Sequence, residues 1–222
     1  MNADPHRGLP VLHAGAALEE ADVALVLLHG RGASPEDILP LLPELIRAGD
    51  MNPLPKLAAL APRAGGGQWY PYSFMAPVEQ NQPYLNSALR VVEDIVYHLE
   101  QTGFPTERIV LGGFSQGACL ATEFVARNPR RWGGLLSFSG GLIGPVGGDL
   151  TTGGDLAGMP AYFGCAERDP HIPAERVSES VDALREMGAE VNVELFAGSD
   201  HTVRSEELAA GAELLAGLAT RS

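Results

Sequence analysis

Residues 109–118 read Ile-Val-Leu-Gly-Gly-Phe-Ser-Gln-Gly-Ala, an apolar run that ends in Gly113-x-Ser115-x-Gly117 and passes at once into a helical pattern. A strand that turns straight into a helix forces its turn residue into a strained backbone conformation. The flanking positions then need glycine, because a Cβ at either would strike the neighbouring strand or helix. The chain is thereby committed to sheet-and-helix layering, with a serine raised at the C-terminal edge of a sheet. Its Oγ stands over a helix N-terminus, where unsatisfied N–H groups and the positive end of the dipole favour a developing anion.

The rest of the chain alternates in the same way. Val23–Leu28 is continuously apolar, as a strand buried on both faces must be. Ser34-Pro35-Glu36-Asp37 reads as an N-cap, a first-turn proline and two early acids, predicting a helix to about Arg47. Residues 56–61 read as a second buried strand. Residues 62–83, rich in Gly, Pro and aromatics, read as a long loop of the kind that is usually functional. Leu85, Leu89, Val92, Val96 and Leu99 share one face of a long helix. Residues 108–111 form the strand that feeds the serine, and the helix after it stops before Pro129. Strands are expected at 135–138, 161–164 and 191–196, with a Gly-rich loop over 140–158. Helices are expected around Val177–Leu184 and Leu208–Leu215. This order implies an α/β fold: a mostly parallel sheet, right-handed crossovers and helices on both faces. Residues 1–222 read as a single domain with no separate lid domain, residues 1–20 offering an extra N-terminal strand or arm. In such sheets, sites form beyond the C-terminal strand ends.

Composition narrows the partners. A net charge of −13, from 15 basic and 28 acidic residues, would repel nucleic acid and anionic membranes. Neither a signal peptide nor a membrane span is legible, which makes a cytoplasmic location the expectation. Cys119 and Cys165 stand alone and read as buried free thiols. No His/Asp/Glu group shows metal-ligand spacing, and no phosphate-cradling glycine motif is present, so neither metal nor cofactor is expected.

A serine hydroxyl needs an imidazole to take its proton, and the imidazole needs a carboxylate to fix its tautomer. In sheets of this kind the chain order is serine, acid, histidine. Of the six histidines only His171 and His201 follow Ser115, and His201 lies just past the last predicted strand. Asp169 follows the strand at 161–164 and is the preferred acid. Asp200 is a neighbour of His201 with its side chain directed elsewhere, and Asp149 and Asp155 lie in the Gly-rich loop. An oxyanion would be met by the backbone N–H of Gln116 and by that of Arg31, in Leu28-His29-Gly30-Arg31-Gly32. His29 itself reads as a structural hydrogen-bonding residue. Candidate walls for an apolar acyl group are Trp69, Tyr70, Phe74 and Met75 in the long loop, and Leu142 and Ile143 after another strand.

Taken together, Leu28-His29-Gly30-x-Gly32, Gly113-Phe114-Ser115-Gln116-Gly117, Asp169-Pro170-x-Ile172-Pro173 and the histidine before the last helix resemble the phospholipase/carboxylesterase family of α/β-hydrolases. That family includes the acyl-protein thioesterases. The resemblance covers nearly the whole chain after about residue 20. It implies a Ser115/Asp169/His201 triad, an oxyanion hole from the Arg31 and Gln116 amides, and hydrolysis of short- to medium-chain esters through an acyl-enzyme. It leaves open an acyl-thioesterase or lysophospholipase with the same triad, and a ligand-binding relative without chemistry. It also admits a homodimer, since apolar loops often pack together in this family. Two departures adjoin the triad: His171 stands where an aliphatic residue is usual, and Ser199-Asp200 where glycine is common.

Overall fold

The computed structural model describes residues 4–49, 54–148, 150 and 153–219. In chain order the strands are β1 (Val11–Gly15), β2 (Val23–Leu28), β3 (Leu57–Pro62), β4 (Ile109–Phe114), β5 (Gly134–Phe138), β6 (Pro160–Ala166) and β7 (Glu190–Phe196). The helices are α1 (Pro35–Ile38), α2 (Leu41–Ala48), α3 (Tyr84–Gln101), α4 (Gln116–Arg127), α5 (Ala174–Glu186) and α6 (Ser205–Ala219). One sheet carries all seven strands in the order β1-β3-β2-β4-β5-β6-β7. β1 runs antiparallel to β3 along one edge, and every other pairing is parallel. The sheet is therefore mostly parallel and helix-covered, the α/β-hydrolase arrangement, with no separate lid evident among the described residues. Among the described residues no helix is long and apolar enough to cross a membrane.

The continuous apolar run of β2 has a direct structural reason. Ala24, Val26 and Leu28 enter a core shared with α3, α4 and α5. Val23, Leu25 and Leu27 enter a second core with α1, α2 and α6. Alternate side chains of one strand thus feed both faces, and all six residues are buried. At roughly 1.5–3 kcal/mol for each large aliphatic side chain removed from water, this strand ties the two halves of the core together.

One predicted helix divides. The pattern from Pro35 to about Arg47 is split into α1 and α2 at Leu39-Pro40. Pro40 and Pro43 have no N–H to continue the ladder. The chain compensates with a tighter bond from the Leu42 N–H to the Leu39 carbonyl, at 3.0 Å. Residues 62–83 contain only two 3-10 turns, Gly65–Gly67 and Val78–Asn81. In α3 the buried face also includes Ala88 and Ile95, while Leu89 is only partly covered.

Strand order places the site. The chain passes from β2 outward to β3, then returns to lay β4 on the other side of β2. The C-terminal ends of β2 and β4 flank this reversal, where open α/β sheets leave a crevice. Ser115 follows β4 there with φ 55° and ψ −120°. Both flanking glycines press on the end of β2. A Cβ on Gly113 would lie 2.5 Å from the Leu28 carbonyl oxygen, and one on Gly117 would lie nearer still to the same atom. The obstacle is backbone in a central strand and cannot swing aside.

Gly117→Ala should therefore destabilise the protein by about 3 kcal/mol or more, the upper range for overpacked cores. Urea denaturation measures this, and a loss below about 1 kcal/mol would contradict the packing argument.

Candidate active site

Three loops beyond three strand ends bring Ser115, Asp169 and His201 together. His201 lies between β7 and α6, and Asp169 just beyond β6. His201 Nδ1 is 2.7 Å from Asp169 Oδ2, and His201 Nε2 is 2.8 Å from Ser115 Oγ. The other Asp169 oxygen accepts the backbone N–H groups of His171 and Ile172 at 2.8 and 3.0 Å. Burial pushes this carboxyl upward, but the hydrogen bonds from His201 and the two amides outweigh it and hold Asp169 below its usual range. An ionised carboxylate only accepts, so Nδ1 carries the imidazole proton and Nε2 is left to accept from the serine hydroxyl. The ring is wedged between Phe114 and His171, with centroids at 4.7 and 4.8 Å. Asp200 is exposed and turned toward Arg204 at 3.4 Å. Asp155 accepts the Ala157 N–H within its own loop, and Asp149 lies outside the described residues.

Arg31 follows β2 and Gln116 opens α4; both line the cleft, and among the described residues neither backbone N–H donates to a protein acceptor. Their side chains do something the sequence did not signal: both grip residues 68–72. Gln116 accepts the Trp69 N–H at 2.9 Å and donates to the Tyr70 carbonyl at 2.8 Å. Arg31 donates to Gln68 Oε1, the Pro71 carbonyl and the Tyr72 carbonyl at 2.7, 2.9 and 2.8 Å. Behind them His29, fully buried, accepts the Ala64 N–H and donates to the Gly30 carbonyl. The Trp69 indole N–H donates to the His29 carbonyl at 2.9 Å. His6 supports the same loop, accepting from the Gly65 N–H and donating to the Trp69 carbonyl. Burial lowers the pKa of both histidines. Each ring donates through one nitrogen and accepts through the other, as a neutral structural imidazole does, and His29 is the structural hydrogen-bonding group read from the sequence. His6 was missed because its partners lie 59 and 63 residues away.

The cleft at Ser115 has a volume of about 510 Å³. Tyr70 and Phe74 line it, as do Tyr72, Phe114 and Ile172, which were not among the expected walls. Trp69, Met75, Leu142 and Ile143 do not. Trp69 is turned inward against His29, with ring centroids 5.0 Å apart. Leu142 and Ile143 are buried, their N–H groups held by Ser180 and Glu123, and Met75 packs on the larger core. Apolar residues after a strand can turn to core or cleft, and only the neighbours decide. Cys119 also lines the cleft, but burial pushes its thiol up to about 12, leaving it protonated. A second cavity of about 580 Å³ lies between the N-terminal segment and α3, and contains none of Ser115, Asp169 and His201. Among the described residues no cluster of three or more His, Cys, Asp or Glu could hold a metal ion.

Residues 15–218 match the family described as Phospholipase/Carboxylesterase. Acyl-protein thioesterase 1 of Gibberella zeae is 32% identical over 109 residues, 48% of this chain and 46% of the relative. The chain thus spans about half the length of that relative. Acyl-protein thioesterase 1 of Debaryomyces hansenii is 24% identical over 219 residues, covering 90% of this chain and 93% of the relative. The crystal structure of a phospholipase/carboxylesterase from Dyadobacter fermentans superposes with a TM-score of 0.85 at 40% identity, covering 93% and 95% of the two chains.

The first turn of α6, which follows the loop that presents His201, carries an unusual carboxyl. Glu207 is buried, and one oxygen accepts the Arg204 N–H at 2.8 Å, closing back on the start of α6 as in a capping box. The other oxygen has no hydrogen-bond partner and lies against Gly164. Burial pushes this carboxyl up to about 7. A folded-state pKa above the unfolded value gives stability that is present below about pH 4.5 and lost as pH rises through 7. Between pH 5 and 8 the native state should lose on the order of 2 kcal/mol through this group. Glu207→Gln keeps the acceptor for Arg204 and cannot ionise, so its denaturation midpoint should fall less over that interval. An unchanged pH dependence would contradict the assignment.

Proposed function

Since this chain belongs to the phospholipase/carboxylesterase family, we propose that it is a serine carboxylesterase hydrolysing short- to medium-chain esters through an acyl-enzyme. The observation that carries this reading is the unbroken hydrogen-bond chain Ser115–His201–Asp169, with 2.8 and 2.7 Å links. Ser115 Oγ attacks the ester carbonyl while His201 Nε2 takes its proton. Asp169 holds the ring and stabilises the imidazolium that results. The carbonyl oxygen, now anionic, is received by the Arg31 and Gln116 N–H groups and by the N-terminal dipole of α4. As the tetrahedral adduct collapses, the C–O bond to the alcohol breaks and His201 Nε2 returns its proton to the leaving oxygen. A water molecule then attacks the acyl-serine, deprotonated by the same nitrogen, and releases the acid with Ser115 restored.

Relatives that carry the name acyl-protein thioesterase support a second reading, in which the physiological substrate is a thioester. The same residues would act, and only the leaving group differs. Comparing kcat/KM on matched acyl esters and acyl thioesters separates the two.

Ser115→Ala should lower 4-nitrophenyl butyrate hydrolysis by about a thousandfold or more while leaving the fold intact. A fluorophosphonate should label the wild type at Ser115 and fail to label the variant. Retained turnover in Ser115→Ala would remove the nucleophile assignment.

A further inference from the structure

The cleft carries permanent charge at one place. Among the residues lining it Arg31 is the one arginine or lysine, and no aspartate or glutamate joins it. This contrasts with a chain of 28 acidic and 15 basic residues. Asp169 lies behind His201 with its side chain wholly covered. Arg63, Arg90 and Arg127 are paired with Glu36, Asp4 and Glu123. Arg31 instead donates to a side-chain amide and two backbone carbonyls, all neutral. Its charge is held in place without being cancelled.

The hydrogen bonds also leave donors over. A guanidinium has five N–H groups. Nη1 uses two, on Gln68 and Pro71, and Nη2 uses one, on Tyr72. One Nη2 hydrogen and the Nε hydrogen remain, and the side chain is exposed at the cleft. A carboxylate matches the planar fork of such a cation in geometry and charge. The negative charge elsewhere on the surface opposes this weakly, since at about 0.15 M salt fields fade over roughly 8 Å.

Resting on the hydrolase reading above, we propose that Arg31 makes this cleft selective for esters that bear a carboxylate on the acyl chain or on the alcohol. An exposed ion pair contributes little, but a hydrogen-bonded one on a pre-set cation in a cleft contributes about tenfold in kcat/KM (~1.4 kcal/mol).

The test compares kcat/KM within two matched pairs, followed by pH-stat. Methyl hexanoate against monomethyl adipate probes the acyl side, and ethyl butyrate against O-butyryl glycolate probes the alcohol side. The charged-to-neutral ratio should be about tenfold higher in wild type than in Arg31→Gln for at least one pair. Arg31→Lys should retain most of the difference, and raising salt from 0.05 to 0.5 M should erode it in wild type. Loosening of the 68–72 segment or of the Arg31 amide affects both members of a pair alike and cancels in the ratio. Equal ratios in wild type and Arg31→Gln for both pairs would overturn the proposal while leaving the esterase reading intact. If wild type turns over none of the four esters and no fluorophosphonate labels Ser115, the hydrolase reading falls, and this one with it.

Discussion

The fold is organised around one close backbone approach. The carbonyl of Leu28, at the end of β2, lies where side chains on Gly113 and Gly117 would have to be. Because those positions are bare, β4 can run beside β2 and turn within one residue into α4. Ser115 is held at a positive φ by that turn, and the same contact fixes the backbone next to both proposed oxyanion amides. Any relaxation at Leu28 would move Ser115 and the neighbouring Gln116 amide together. Rigidity of this kind is what lets a site act by preorganised electrostatics, where donors must already stand at the place charge will appear.

A second constraint spreads from the first. The residues that supply the Arg31 and Gln116 amides also hold residues 68–72 through five side-chain hydrogen bonds. The long loop is consequently a tethered wall, secured behind by His29 and His6. Its mouth residue Tyr72 stays exposed while Trp69 and Tyr70 are buried. Glycine and proline content alone describes such a segment as irregular; the hydrogen bonds decide that it is fixed.

How far the site could be read in advance depended on how local each signal was. The strand that carries the serine, the glycines flanking it and the chain order of serine, acid and histidine are written within short windows, and Asp169 and His201 fall just past strands whose periodicity is plain. Pocket walls were legible only in part. Tyr70 and Phe74 face the cleft, whereas Trp69, Met75, Leu142 and Ile143 serve the interior. An apolar residue carries the same pattern whether it covers a core or a ligand, so composition could not separate them. The break in the helix after Ile38 was foreshadowed by Pro40 and Pro43, but the Ser34-Pro35-Glu36-Asp37 signal drew the predicted element through them, although the Ser34 hydroxyl donates to the Asp37 carboxylate and makes no cap bond to the backbone.

The amino-acid order by itself determined the layering, the central strands and the identity of the serine turn, because each follows from periodicity and backbone sterics over a few residues. Tertiary structure alone decided which side chains hold residues 68–72 in place. Gln116 reaches Trp69 across 47 positions, His6 reaches it across 63, and Arg31 reaches Pro71 and Tyr72 across 40 and 41. Such partners are set by the crossing of strands in space, and hydrogen-bonding groups so far apart in the chain leave no periodic trace in it. The uncancelled charge of Arg31 belongs to the same category, since it is the assembled cleft that brings no aspartate or glutamate to its described lining.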